Sequence, residues 1–169
     1  MAIEDDLALI REQERVLQFD RFNLDSAWEL GRLLRQMAVA AGHPIAIDIH
    51  INGMPAFYAA LPGSVPDNAQ WVRRKRNVAT RFGHASYAVG LGLARDNRSV
   101  SEKYGVDETD YAAHGGSFPI VVRGVGAIGA VTVSGLPQRE DHKMVVLALA
   151  EMLGVDAAPL DLDAGPVIV

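Results

Sequence analysis

A chain of 169 residues, 49% hydrophobic and 22% charged, has the size and balance of one soluble globular domain with a real core. Its formal net charge of −5 argues against a nucleic-acid partner, which needs a broad basic footprint. The lack of cysteine excludes disulfides, thiolate metal sites and thiol nucleophiles.

In chain order, Met1 to Asp6 is acidic and has no apolar signal core, and no apolar run is long enough to span a bilayer. A cytoplasmic location with no membrane partner is therefore the expectation. Residues 3–15 read as a helix with Ile3, Leu7 and Ile10 on one face, and 16–19 as a short edge strand. A second helix is expected from an N-cap at Asp25 to the stop at Gly42 and Pro44, with Ala27, Leu30, Leu34, Met37, Ala38 and Ala41 as its apolar stripe. Ile45, Ile47, Ile49 and Ile51 alternate with Ala46, Asp48 and His50, a strand with one apolar face. Asn52-Gly53 predicts a type I′ hairpin turn, and a two-residue loop would set Ile47 against Tyr58 and Asp48 against Phe57. Ser64 to Asp67 resembles a capping box for a helix reaching Phe82, followed by a second helix over 86–96, which Gly90 and Gly92 weaken and whose Val89, Leu91 and Leu93 would also suit a strand, and by a helical turn near Ser101 to Tyr104. A second hairpin runs over 119–134 with its turn near Arg123-Gly124, and Gly126 and Gly129 mark bulges or close backbone approach. Pro137 opens a last helix, stopped by Gly154. The Asp-rich tail with its Val167-Ile168-Val169 end reads as an extended arm or a poorly ordered segment. Two hairpins with helices before, between and after them give an α+β fold, an antiparallel sheet carrying helices.

The helix over 67–82 is the least ordinary element. Arg73, Arg74, Lys75, Arg76 and Arg81 are five of sixteen basic residues within nine positions. Lys75 shares a stripe with Trp71, Val78 and Phe82. It is either a desolvated cation in an anion pocket or a stem lying on the core with its ammonium in water. His114-Gly115-Gly116 offers an imidazole beside backbone that a ligand can approach closely; a Gly-rich turn into a strand is the bland alternative. His142 falls on the inward stripe of the last helix, where a core histidine is the ordinary outcome, and its neighbour Asp141 cannot face it. Asp48 and His50 have the spacing of two metal ligands, but a solvated sheet face or subunit contact explains them as well. No zinc, P-loop, nucleophile-elbow or complete dinucleotide motif occurs.

Trp71-Val-Arg-Arg-Lys-Arg-Asn-Val78, Phe82-Gly-His-Ala-Ser-Tyr87, Asp110-Tyr-Ala-Ala-His-Gly-Gly-Ser-Phe-Pro-Ile120 and Val133-Ser-Gly-Leu-Pro-Gln138 with Asp141-His142 together resemble the UPF0303 family. That family sits within the wider haem-degrading-domain group, which includes haem-binding and glycolate-operon accessory proteins. The resemblance covers about Ile3 to Gly154. It implies one profilin-like domain over 1–154 with a tail over 155–169, a three-layer sandwich whose central antiparallel sheet has about five strands, and a homo-oligomer. It implies no firm activity, and no haem contact is transferred to a numbered position.

Three functions follow. The first is a binding protein for an anionic small molecule, haem among the candidates as cofactor, with Lys75, His114, Gly115, Gly116 and His142 at the site and no metal of its own. The second is an oligomeric adaptor whose interface uses Trp71 as anchor with Arg74. The third is an enzyme with His114 as acid-base group and Lys75 stabilising negative charge.

Overall fold

The computed structural model describes residues 2–164. The isoleucine alternation folds into β1 (Ala46–Ile51), which turns through Asn52 and Gly53, both at positive φ (51° and 77°), into β2 (Met54–Ala60). The second hairpin is β3 (Ser117–Val122) with β4 (Gly126–Ser134). All pairings are antiparallel, in the order β2-β1-β4-β3. Among the described residues the sheet thus has four strands rather than five. The expected edge strand over 16–19 shrinks to one parallel bridge between Phe19 and Val122, because α1 (Ile3–Val16) already takes up Val16.

The register of the first hairpin slips by one. Asp48 pairs with Tyr58 and Ile49 with Phe57, while His50 still pairs with Pro55, so Ala56 is the extra residue. Pro55 has no N–H for the ladder, and the bulge follows directly after it. Gly129 of β4 leaves room for β1: a Cβ there would sit 1.9 Å from the His50 carbonyl oxygen.

Helix caps differ from expectation in detail. α2 (Leu24–Ala41) is capped by Asn23, whose Oδ1 accepts from the Ser26 N–H at 2.9 Å while Ser26 Oγ accepts from the Asn23 N–H at 3.1 Å. This reciprocal pair needs a short acceptor three residues before its partner, which Asn23 meets and Asp25 does not. At α3 (Pro66–Phe82) the Val65 N–H donates to Asn68 Oδ1 at 2.8 Å, and the Ser64 hydroxyl turns back to Leu61 O. α4 (Ser86–Arg95), α5 (Val100–Tyr104) and α6 (Gln138–Leu153) follow the expected order.

The two sheet faces carry different chemistry. Ile47, Ile49, Phe118, Ile120, Val131 and Val133 point to α2 and α6 and build the main core with Leu30, Leu34, Val145 and Leu149. The opposite face carries Asp48, Thr132 and Ser117, neighbours across β1, β4 and β3, and lies under α3. Helices on both faces of one sheet make the three-layer, profilin-like arrangement. Beyond α6 a 3-10 turn (Ala158–Leu160) brings Leu160 and Leu162 into the main core. The segment over 155–164 therefore packs on the body and is no extended arm, because burying two leucines outweighs the solvation of its aspartates. The Val167 to Val169 end lies outside the described residues. Among those described, no helix is long and apolar enough to cross a membrane.

Candidate functional site

Lys75 is 4% exposed, so its ammonium does not reach water. Its Nζ donates to Asp141 Oδ2 at 2.9 Å and to Val133 O at 3.3 Å. Asp141, in the first turn of α6, reaches back to accept from the N–H of Leu136 at 3.0 Å and of Gly135 at 3.4 Å. The anion that Lys75 and nearby N–H groups were expected to hold is thus supplied by the chain itself. Burial pushes the Lys75 ammonium down from its ordinary pKa, and the Asp141 charge pulls it back up. Burial pushes the Asp141 carboxyl up, against the pull of Lys75 and the two backbone donors. Gly116 closes over this pair at φ +135°. A Cβ there would lie 2.3 Å from Val133 O and 3.0 Å from Lys75 Nζ. The Gly115 N–H donates to Gln138 Oε1 at 3.1 Å. Paired glycines are needed here so that β3 can enter the sheet beside α3 and α6.

His114 lies on the outer side of this arrangement and is exposed. Its ring meets the Trp71 indole edge-on, with centroids 5.3 Å apart. The Arg74 guanidinium stacks on the same indole at 4.8 Å, and Trp71 Nε1 donates to Asp67 Oδ2 at 3.1 Å. Crowding by protein lowers the His114 pKa first, and the positive charges of Lys75 and Arg74 lower it further. The imidazole is therefore neutral at physiological pH, with a ring nitrogen free of a proton. The segment over 107–116 is tied along α3. Arg74 donates twice to Glu108 O, Arg73 to Asp110 and Thr109 O, and Asn77 to Asp110 O, while Arg74 O accepts from the Ala112 N–H. Arg73, Arg74 and Arg81 of α3 thus serve this loop, while Arg76 turns to Asp48 of the sheet.

Between α4, α5 and that loop lies a cleft of about 440 Å³. Arg74, Arg98, Glu108, Tyr87, His114 and Gln138 give it polar groups, and Leu91, Leu93, Val100 and Ala113 an apolar lining. A larger and more apolar groove of about 590 Å³ runs between α2 and α6, past Met37, His43, Met144, Leu147 and Leu160. It holds none of the residues that stood out in the sequence. The smaller cleft combines convergent polar groups with a perturbed histidine, the ordinary marks of a ligand site.

Of the residues singled out from sequence, His114 and Arg74 line the cleft. Lys75, Gly115 and Gly116 sit behind His114 as its buried support. Trp71 is half-buried within its own chain, between His114 and Arg74. His142 joins none of them. It is buried, its Nε2 is 2.7 Å from Gln13 Oε1, and its ring lies 5.3 Å from Tyr87 and 6.0 Å from Phe118. Gln13 gives its amide N–H to Leu160 O at 2.8 Å, so its Oε1 accepts and His142 carries its proton on Nε2. The His142 Nδ1 then has no hydrogen-bond partner, and burial together with Arg139 pushes its pKa down to about 3.

Asp48 and His50 do not form a solvated face. Asp48 is 3% exposed, and its carboxylate takes Arg76 Nη1 at 2.8 Å and lies 3.3 Å from His50 Nε2. α3 covers this part of the sheet, and its arginine occupies the carboxylate that a metal would need. Among the described residues no group of three or more His, Cys, Asp or Glu could hold a metal ion. Sequence reasoning missed Asp141 as the partner of Lys75, and Tyr87, Arg98 and Gln138 as cleft residues. The available signal for Asp141 was its place just after a strand end and a Leu-Pro step, where an acid can fold back on the N–H groups before the helix.

A family model described as haem degrading protein HbpS-like matches residues 22–150. A UPF0303 protein from Rhizobium etli is 57% identical over 162 residues, covering 96% of this chain and 98% of that one. One from Acidobacterium capsulatum is 52% identical, covering 94% of this chain and 96% of that one. Among solved structures, the Ybr137w protein has a TM-score of 0.82 at 33% identity, covering 88% of this chain and 87% of that one. HbpS has a TM-score of 0.63 at 19% identity (81% and 93% covered), and a PduOC–heme complex 0.64 at 16% (76% and 93%). The last two share the fold. The matched family model spans most of this chain, and the UPF0303 relatives match it almost end to end, so the chain belongs to the HbpS-like haem-degrading protein family and groups there with the UPF0303 proteins.

Proposed function

We propose that this protein binds a small, partly apolar anion in the cleft between α4, α5 and the 107–116 loop, with haem as the first ligand to test. The observation that carries this reading is the exposed, neutral His114 at a cleft that also presents two arginines, Arg74 and Arg98, over an apolar lining. The volume of about 440 Å³ falls within the range of roughly 300–1,000 Å³ usual for ligand sites. A fold neighbour solved as a heme complex supports the choice of probe.

The residues present fit a haem. The unprotonated imidazole nitrogen of His114 would hold the iron, Arg74 and Arg98 would meet the propionates, and Leu91, Leu93 and Val100 would face the macrocycle. Bound haem would supply an iron centre, tuned by the imidazole that would hold it and by the polarity around it. The protein's own part is to hold His114. Trp71 meets the ring edge-on, and burial first, then Lys75 and Arg74, disfavour a second proton on it. Arg74 and Arg98, which line the cleft, would draw an acidic ligand there. Titration with haemin is expected to give a saturable Soret shift. His114→Ala is expected to weaken binding at least about tenfold and to alter the absorption maximum, since the imidazole that would hold the iron is removed. No saturable shift, or one that His114→Ala leaves untouched, contradicts the haem reading.

A further inference from the structure

Arg139 of α6 is the hub of a contact set that sequence reasoning did not foresee. Its Nη1 donates to Asp6 Oδ2 of α1 at 2.6 Å and to the Tyr87 hydroxyl of α4 at 3.3 Å. Its Nη2 donates to Leu162 O at 2.8 Å, and its Nε to Asp163 Oδ1 at 3.0 Å. One planar guanidinium thus joins α1, α4, α6 and the segment over 158–164.

That segment is a strap. Leu160 and Leu162 are buried beneath it, Gln13 donates to Leu160 O, and Lys143 reaches both Asp161 and Asp163. Two lines of contact run from the strap to the cleft. The first goes through Arg139 to the hydroxyl of Tyr87, a residue only 6% exposed that nevertheless lines the cleft. The second goes along α6 to Gln138, which lines the cleft and takes the Gly115 N–H beside His114.

We infer that Arg139 is a positioning residue for the ligand cleft: held by the strap, it fixes Tyr87 and thereby the wall against which His114-Gly115 and the ligand rest. Arg139 is not itself among the cleft-lining residues and acts through Tyr87. The inference rests on the cleft being the ligand site, but its geometric half stands apart from that reading. Lysine cannot replace Arg139, because a single ammonium has no fork to reach α1, α4 and the strap together.

A double-mutant cycle with Tyr87→Phe tests this. Haemin affinity and amide hydrogen exchange at Gly115 are read in the wild type, Arg139→Gln, Tyr87→Phe and the double variant. Arg139→Gln is expected to weaken haemin binding and speed Gly115 exchange by about fivefold to tenfold, and the same change on the Tyr87→Phe background by less than about twofold. Equal losses on both backgrounds overturn the inference, since they describe a merely structural arginine. Asp163→Asn guards against simple unfolding, because that carboxylate is half-exposed and meets the guanidinium only at Nε, its other oxygen going to Lys143. It is expected to act in the same direction with a smaller effect, and wild-type values for both readouts overturn the inference. If the wild type takes up no haemin, the reading of the cleft fails, while the exchange cycle still decides the role of Arg139.

Discussion

Lys75→Met is expected to destabilise the protein by about 3–5 kcal/mol, measured by urea unfolding, because it strands the Asp141 carboxylate in a dry site. Asp141 would keep only the Leu136 and Gly135 N–H groups, at 3.0 and 3.4 Å. Protonation offers partial relief, since burial already pushes this carboxyl up. The loss should therefore shrink as the pH is lowered towards the range where Asp141 takes up a proton. The double variant Lys75→Met, Asp141→Asn is expected to recover much of the loss, because no unpaired charge remains. If the single variant loses less than about 1 kcal/mol at pH 7, the pair has the worth of a surface ion pair and Lys75 is not the buried cation described here. A second readout follows from charge. Without the Lys75 ammonium the His114 pKa rises, because its second-largest depressing influence is gone.

His142 makes stability depend on pH. In the unfolded chain an imidazole takes up its proton near pH 6.5, whereas in the fold burial holds His142 down to about 3. Between those values the unfolded state binds more protons, so stability falls as pH is lowered from 6.5 towards 3. At about 1.4 kcal/mol for each pH unit between the two values, the full effect reaches about 4–5 kcal/mol. His142→Gln keeps a side-chain donor for Gln13 but has no titrating ring. Its stability is expected to fall less than that of the wild type across this window, by up to that amount. Asp48 and Asp141, whose carboxyls burial raises, bind protons more readily in the fold and act in the opposite sense, but they are common to both proteins and cancel in the comparison. Parallel stability curves for wild type and variant contradict a buried neutral His142.

Much of the fold was legible because its signals are local. The alternating isoleucines, Asn52-Gly53 and the Gly42 and Gly154 stops each fix φ, ψ or facing within a few residues, and each appears where the sequence places it. The errors lie where a distant contact or a neighbouring residue type decides. Pro55 shifts the hairpin register, α3 covers Asp48, and two leucines pull the Asp-rich tail onto the core. The site was legible in part for the same reason. Lys75, Trp71 and Arg74 stand out within one helix, and His114-Gly115-Gly116 within one loop. Nothing in the sequence says that Asp141, 66 positions on, would take the ammonium, or that Arg139 would join Asp6 to Asp163. A helical period places a residue on a face; it does not name the partner that the tertiary fold brings to it.

The most direct test of the account is to locate a bound porphyrin. Zinc protoporphyrin, added to the isotopically labelled full chain, is expected to shift the amide resonances of Arg74, Leu91, Leu93, Tyr111 and His114, and to leave those of Met37, Met144 and Leu147 unchanged. Shifts gathered along the groove between α2 and α6, or no saturable shifts at all, contradict the assignment of the ligand to the His114 cleft.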